Sequence, residues 1–525
     1  LNRSIVHLAL AVAFAGTLLT AFTAGAVTPA VTLGQYHSCA VTSAGAALCW
    51  GYNAFGQLGN GTTNSAKTPV AVSGLASGVL AIAAGGYHSC ALTTGGGVWC
   101  WGYNGDGELG NGGTNNSSTP VSVSGLASGV RAIAAGAGGF HTCALTSAGA
   151  VLCWGFNATG QLGNSTNTSS RTPVPVSGLS GGVTAITAGG YHTCALMTGR
   201  AAYCWGYNAD GELGHGTTTA SSNTPMAVAG LASGVIAIAA GGEQTCALTS
   251  AGAMSCWGYN GDGELGNGTT NRASLPVAVS ALPSGIVAIG AGGAGQTCAL
   301  TSAGGLYCWG YNADGELGIG TTSDATTPVA VPALARGVIA IGGGGYHTCA
   351  LTMAGTVSCW GFNGFGELGN NTTANSSVPV TGPSTFMPPV TTSASTVKVG
   401  QTSTLQVTPL GSGPFTYQWY QGTSGSTSNP IAGATGASFT TPALTVTHSY
   451  WVKTIGPTGL VEDSATITIT VTGGGAGGAG SGATDGPLPL WALGALGAGL
   501  MGIASRRLKK PALERCHLDK RGHSS

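Results

Sequence analysis

The sequence predicts an all-β protein, a seven-bladed β-propeller with a small β-sandwich after it, and three observations predict it. A block of the form HxCALTxxGxxxCWGxN recurs seven times, with its first cysteine at Cys39, Cys90, Cys143, Cys194, Cys246, Cys298 and Cys349 in steps of 51, 53, 51, 52, 52 and 51 residues. A fixed period of that length is the mark of stacked units. Each copy carries four strand-like runs between Gly-rich turns, and four short strands make one propeller blade. With 94 Gly and 6% charged residues among 525, the chain is neither a disordered polyelectrolyte nor a long-helix protein.

Residues 1–26 read as a secretory signal: Arg3, an apolar run from Ile5 to Leu19, then Ala24 and Ala26 in a small-residue cleavage pattern. The propeller is expected over 27–382. There, 11 acidic residues face 6 basic ones between Val27 and Gly382, which argues against a nucleic-acid partner. Seven units exceed what one simple core supports, but repeats bury their apolar faces on their neighbours. The first copy opens at Val31-Thr32-Leu33 and the last ends on Val378-Pro379-Val380. These two runs are expected to share the first blade in a three-plus-one closure that hides an open edge.

Within each copy the second cysteine lies ten residues after the first, at Cys49, Cys100, Cys153, Cys204, Cys256, Cys308 and Cys359. In the first copy, a three-residue loop Ser43-Ala44-Gly45 with Gly third implies a type I turn followed by a left-handed residue. That register sets Val41 opposite Ala47, Ala40 opposite Leu48, and Cys39 opposite Cys49 at a non-hydrogen-bonded position close enough for a disulfide. Seven hairpin disulfides are expected, each worth roughly 2–3 kcal/mol in the chain-entropy model. The spacing does not match a zinc site, and Cys516 is left over. The fourth copy has Gly199 and Arg200 in its turn, which predicts a different turn type.

On the hairpin's other face Trp50 opposes Ser38 and lies diagonal to Ala40, so small neighbours leave room for an indole. Trp101, Trp154, Trp205, Trp257, Trp309 and Trp360 repeat the arrangement and are expected to pack between blades. His37, His88, His141, His192 and His347 align with Gln244 and Gln296. Glutamine replaces a hydrogen-bonding histidine but not a base, so these positions are read as structural.

The residues Gly34, His37, Ala40, Trp50, Gly51, Asn53, Gly56, Gln57, Leu58 and Gly59, with their counterparts along 31–382, resemble the regulator of chromosome condensation repeat family. The resemblance implies a propeller that docks onto another protein; its members include a nuclear guanine-nucleotide exchange factor and a secreted bacterial inhibitor of β-lactamase. Five copies depart from the pattern with Glu for Gln, at Glu108, Glu212, Glu264, Glu316 and Glu367. With Asp106, Asp210, Asp262 and Asp314 they form a candidate partner-facing acidic ring on one face, although no copy has the spacing of a calcium loop. The plain alternative is a set of solvated turn residues.

After Pro388-Pro389 the alternating runs 403–407, 417–420 and 466–470 predict a small β-sandwich over 388–472. Tyr417-Gln418-Trp419 and Ser449-Tyr450-Trp451-Val452 make it similar to bacterial immunoglobulin-like domains, without their disulfide. A Gly-rich linker follows at 473–486. Residues 487–510 hold Pro487, Pro489, Trp491, an apolar stretch, and a basic cluster opened by Arg506 and Arg507. That layout resembles the Pro-Glu-Pro type of carboxy-terminal sorting signal, with a segment just long enough to span a bilayer. The tail 511–525 departs from it.

No nucleophile, base and orienting residue form a recognisable set, and no phosphate-cradling loop is present. The expectation is a non-catalytic, exported surface or matrix protein without a cofactor. Its propeller would bind an extracellular protein or glycan, and its C-terminal segment would meet the membrane. An inhibitor of a secreted enzyme is the alternative; a propeller hydrolase or lyase and guanine-nucleotide exchange rank below it.

Overall fold

The computed structural model describes residues 30–472 apart from 43–44, 219–220, 353–355, 383–389, 408–414, 423–426, 456–460 and 465. The candidate signal 1–26, the linker 473–486, the sorting segment with Pro487, Pro489, Trp491, Arg506 and Arg507, and the tail with Cys516 lie outside the described residues. Among those described, no helix is long and apolar enough to cross a membrane.

Residues 30–381 form seven four-stranded antiparallel sheets, each from one contiguous stretch of chain. In the first, β1 (Ala30–Leu33), β2 (His37–Val41), β3 (Ala47–Gly51) and β4 (Ala66–Ala71) pair in sequence order. The hairpin register is the expected one: Val41 opposes Ala47, Ala40 opposes Leu48, Cys39 opposes Cys49 and Ser38 opposes Trp50. All seven cystines form within their own hairpins, with Cα atoms 4.0–4.1 Å apart.

Two sequence expectations are corrected. The fourth hairpin keeps the common turn: Arg200 takes φ 62° where Gly96 takes 77° and Gly149 takes 83°. There the register, fixed by the cystine and by Met197 N–H donating to the Ala201 carbonyl, overrides the preference for glycine. The closure is not three-plus-one. Ser376–Thr381 is the fourth strand of the seventh sheet, where Val380 opposes Cys359, and the first sheet has its own fourth strand with Val70 opposite Cys49. The Pro-led strand follows its hairpin in every copy, so the first copy lacks nothing.

The fourth strands are the outer edges of the blades, and each carries a proline (Pro69 in β4, Pro379 in the last) beside a register irregularity against the third strand. A proline with no N–H at a bulged edge blunts pairing with another sheet. Adjacent blades pack face to face. Val31 and Leu33 of the first join Leu351, Val357 and Leu368 of the last in one buried cluster that also takes in Trp50. The inner strands surround a small axial cavity of about 110 Å³ lined by Ala, Gly, Thr and aliphatic side chains.

Further along, Val390–Thr392, Thr404–Val407 and Ser438–Thr440 form one sheet. Thr396–Lys398, Ile467–Thr472, His448–Ile455 and Thr416–Gln421 form another, with Val461–Asp463 paired to its third strand. Leu405 and Val407 of the first sheet share a buried cluster with Trp419, Tyr450, Val452 and Ile469 of the second.

Candidate functional site

The repeated polar residues converge on the seams between blades. In the Gly-Gln/Glu-Leu-Gly turn after the third strand, one backbone carbonyl points into the next blade and accepts two donors there. The Gln57 carbonyl takes the indole N–H of Trp101 at 2.8 Å and the hydroxyl of Ser89 at 2.9 Å. A carbonyl has two lone pairs, so the pair of donors saturates it. The same carbonyl serves Trp154, Trp205, Trp257, Trp309 and Trp360 at 2.7–2.9 Å, and across the closing seam the Glu367 carbonyl takes Trp50 at 2.8 Å. All seven indoles are fully buried, as their small cross-strand neighbours predict. Gly59, at φ +67°, lies against the Trp101 ring, where a Cβ would fall 2.7 Å from the indole nitrogen.

The histidines complete five of these seams. His37 Nε2 meets the Ser89 hydroxyl at 2.8 Å, and His88, His141, His192 and His347 reach Thr142, Thr193, Thr245 and Ser38 at 2.7–2.8 Å. Because the Ser89 hydroxyl donates its proton to the Gln57 carbonyl, the imidazole is the donor, through Nε2–H. Nδ1 has no partner in any of the five. Burial, with a neighbouring imidazole adding to it in three cases, pushes these pKa values down to about 3 or 4, so the rings are neutral and held away from water. That is a structural link and a poor base. Where glutamine stands instead, Gln244 Nε2 makes a long 3.5 Å bond to the Gly292 carbonyl, and Gln296 donates to the Gly344 and His347 carbonyls at 2.9 and 3.1 Å.

The five glutamates are not partner-facing and not solvated; all are at most 1% exposed. One oxygen of each accepts the backbone N–H two residues earlier, as Glu108 does from Asp106 at 2.9 Å. Gln57 and Gln161 do the same with their amide oxygens. The other oxygen, Oε1, has no partner. Burial pushes these carboxyls up to about 8 in Glu108 and Glu212 and about 7 in Glu264, Glu316 and Glu367. A carboxyl that holds its proton is close to an isostere of the amide it replaces. The turn itself is held by Asn53 and its equivalents: Asn53 Oδ1 accepts the Leu58 N–H at 2.9 Å, and its Nδ2 donates to the carbonyls of Thr62 and Asn64.

The surface above these seams is aromatic. The loops between first and second strands and between third and fourth strands emerge on the same face of the ring. The residue before each His or Gln is Tyr36, Tyr87, Phe140, Tyr191, Glu243, Gly295 and Tyr346 in turn, and the one after each Trp-Gly is Tyr52, Tyr103, Phe156, Tyr207, Tyr259, Tyr311 and Phe362. The twelve aromatic side chains are half-buried and make a collar, in contact from Tyr311 through Tyr346, Tyr36 and Tyr87 to Phe140. Asp106, Asp210, Asp262 and Asp314 lie on this face and are part-exposed. Asp210 meets the guanidinium of Arg272, Asp106 accepts from Ser169, and Asp314 accepts from Asn375. Among the described residues no group of three His, Cys, Asp or Glu side chains is placed to hold a metal ion.

The RCC1-like domain pattern matches residues 128–448, and the regulator of chromosome condensation (RCC1) repeat matches 44–92 and 95–145. The chain belongs to the RCC1 repeat family. This RCC1-like chain is 31% identical over 344 residues to the ultraviolet-B receptor UVR8 of Arabidopsis thaliana, covering 65% of this chain and 78% of that one. It is 32% identical over 331 residues to the human E3 ubiquitin-protein ligase HERC2, covering 62% of this chain but 7% of that protein. Prp20p of Saccharomyces cerevisiae, described for its binding to Gsp1p and histones, shares the fold at TM-score 0.57 and 24% identity, over 68% of this chain and 87% of that one. Human WBSCR16 does so at TM-score 0.57 and 23% identity, over 66% and 96%.

Proposed function

We propose that this RCC1-family propeller is a non-catalytic binding ring that works outside the cell, where it holds a protein or glycan partner on one face. The observation that carries this reading is where the repeat's chemistry goes. The five repeat histidines and the five glutamates are buried, with their side chains spent on hydrogen bonds inside the fold. What faces outward is a rigid set of aromatic and acidic loop residues suited to recognition. Seven cystines support an oxidising compartment, in keeping with the leader-like residues 1–26. The sheets of residues 390–472, read as an immunoglobulin-like spacer, and the apolar stretch with its basic cluster at 487–510, read as a sorting or membrane segment, would present the ring at the cell surface.

The test is capture: the immobilised chain is exposed to secreted and cell-surface material and to a glycan array. Specific retention of one protein or one glycan class is the expected result. Retention of nothing, or substrate turnover by the purified chain, would refute the reading.

A further inference from the structure

We propose that the pairs Asn60-Gly61, Asn111-Gly112 and Asn267-Gly268 are latent deamidation sites held in check by the seams between blades, and that Asn267 is the first to convert. Each pair follows the glycine that packs on the next blade's tryptophan, Gly59 on Trp101, Gly110 on Trp154 and Gly266 on Trp309. The chain there turns through a left-handed residue, with Gly61, Gly112 and Gly268 at φ 81°, 87° and 82°. That residue's N–H crosses the seam: Gly61 donates to the Ser118 carbonyl, Gly112 to Arg171 and Gly268 to Thr326, all at 2.9 Å. Ser165, Gly216, Gly320 and Asn371 make the same bond in the other copies, so it belongs to the way the blades are joined.

In an Asn-Gly pair the glycine nitrogen can attack the asparagine Cγ, because no side chain obstructs it. A new N–C bond closes a succinimide ring, the bond from Cγ to Nδ2 breaks, and ammonia leaves with the proton that the attacking nitrogen gives up. Water then opens the ring at either carbonyl and leaves aspartate or isoaspartate. In this fold the proton to be given up is the one spent on the seam bond, so the nucleophile is locked while the blades stay joined.

The reacting carbon is not protected in the same way. Asn60 Oδ1 accepts the N–H of Thr62 at 3.2 Å and its hydroxyl at 2.9 Å, and Asn267 Oδ1 accepts those of Thr269 at 3.0 and 2.8 Å. Donors on that oxygen would steady the negative charge it gathers during attack. Asn111 has no such hydroxyl, only the Gly113 N–H at 3.0 Å and the Asn104 amide at 3.5 Å. Gly61, Gly112 and Gly268 are exposed, so water reaches all three turns.

Asn60 and Asn267 make a matched pair, since each opens the same run Asn-Gly-Thr-Thr-Asn. Their seams differ. Across the first, His37 meets Ser89 at 2.8 Å; across the second, Gln244 reaches the Gly292 carbonyl at only 3.5 Å. An amide proton held in a folded chain is released by local opening, and the less reinforced join opens more often. Isoaspartate adds a methylene to the backbone and shifts the following nitrogen, so a converted seam would not close again in its old register. The rim would keep a lasting record of each opening, written as a new carboxylate.

The experiment ages the full chain, cystines intact, at neutral pH and follows each site by peptide mapping, with hydrogen exchange reading the N–H of Gly61 and Gly268. In the reduced, denatured chain Asn60 and Asn267 should convert at one rate. In the folded chain both should slow by about tenfold or more, with Asn267 ahead of Asn60. H37A should speed Asn60 and leave Asn267 at its parent rate. Should H37A fail to fold, guanidinium below the parent's unfolding transition opens the seams instead, and conversion should rise in step with exchange. Conversion as fast in the folded chain as in the denatured one, equal rates at Asn60 and Asn267 in the folded chain, an Asn60 rate unmoved by H37A, or exchange that rises in guanidinium without conversion would overturn the proposal.

Discussion

The seam between blades one and two and the seam between blades five and six are built to one plan and differ in a single link. Both have the indole and the hydroxyl on one carbonyl, Trp101 and Ser89 on Gln57, Trp309 and Thr297 on Glu264. The first adds His37 to Ser89 at 2.8 Å; the second has only the 3.5 Å contact from Gln244 to backbone. The ring therefore rests on the tryptophan and the packing around it. The imidazole reinforces that join and is dispensable, which is why two copies do without it. Those two copies are also where the collar loses its aromatic residue, and they differ from each other: Gln296 rebuilds its seam with bonds at 2.9 and 3.1 Å, whereas Gln244 has only the 3.5 Å contact.

The strongest way to break the comparison is to remove the shared element. Trp101→Ala and Trp309→Ala should each cost about 3–5 kcal/mol in denaturant titrations. If Trp309→Ala is clearly milder than that, the two seams do not share one plan. Next comes the link itself: His88→Ala should cost about 1–3 kcal/mol, and a double-mutant cycle with Thr142→Val should show coupling between the two side chains. Gln244→Ala should cost less than His88→Ala.

A pH series sharpens the same contrast. The imidazoles, ordinarily near 6.5 in the unfolded chain, are held at about 3 to 4 when folded. The unfolded state then takes up protons that the fold refuses. Their share of stability is complete above about 6.5 and is lost as pH falls toward 3. The glutamates run the other way. They keep their protons in the fold up to about 7 or 8 but ionise near 4.5 when unfolded, so stability is complete below 4.5 and is lost as pH rises through 7 to 8. The melting temperature should peak at mildly acid pH. Glu212→Gln should flatten the alkaline limb, raising stability at high pH by roughly 1–2 kcal/mol. A melting temperature that climbs steadily to pH 9 would contradict the buried, protonated carboxyls. The smallest effect tests whether the weak seam can be mended: Gln244→His, with Gly241 and Gly258 leaving room for the ring and Thr297 as acceptor, should add up to about 1 kcal/mol.

Much of this architecture was legible because the repeat states its rules seven times. Cys39 facing Cys49, and Ser38 leaving space for Trp50, follow from counting along one hairpin. The phase of the repeat did not follow, since a Pro-led run reads equally as the last strand of one blade or the first of another. Only the bulged pairing of Val70 with Cys49 settles it. The acidic ring is different, because residue type alone does not tell a surface carboxylate from a buried carboxyl. Glu108 stands where Gln57 stands in another copy, and that equivalence signals a role an amide can fill: accepting one N–H from inside the fold. The aromatic collar was visible as Tyr or Phe before five histidines and after every Trp-Gly, but only the loop geometry brings the two positions to one face.

The closing seam is made like the rest, with Trp50 on the Glu367 carbonyl, His347 on Ser38, and Asn371 N–H on the Lys67 carbonyl. No strand is borrowed across it, so the chain's break in the circle is a matter of numbering alone. Joining Thr381 to Ala30 through a connector like residues 72–78 and opening the chain between any other two blades should yield a permuted protein with the same circle. For the same reason the blades are interchangeable units, and the outward loops can vary copy by copy without redesigning how the circle shuts.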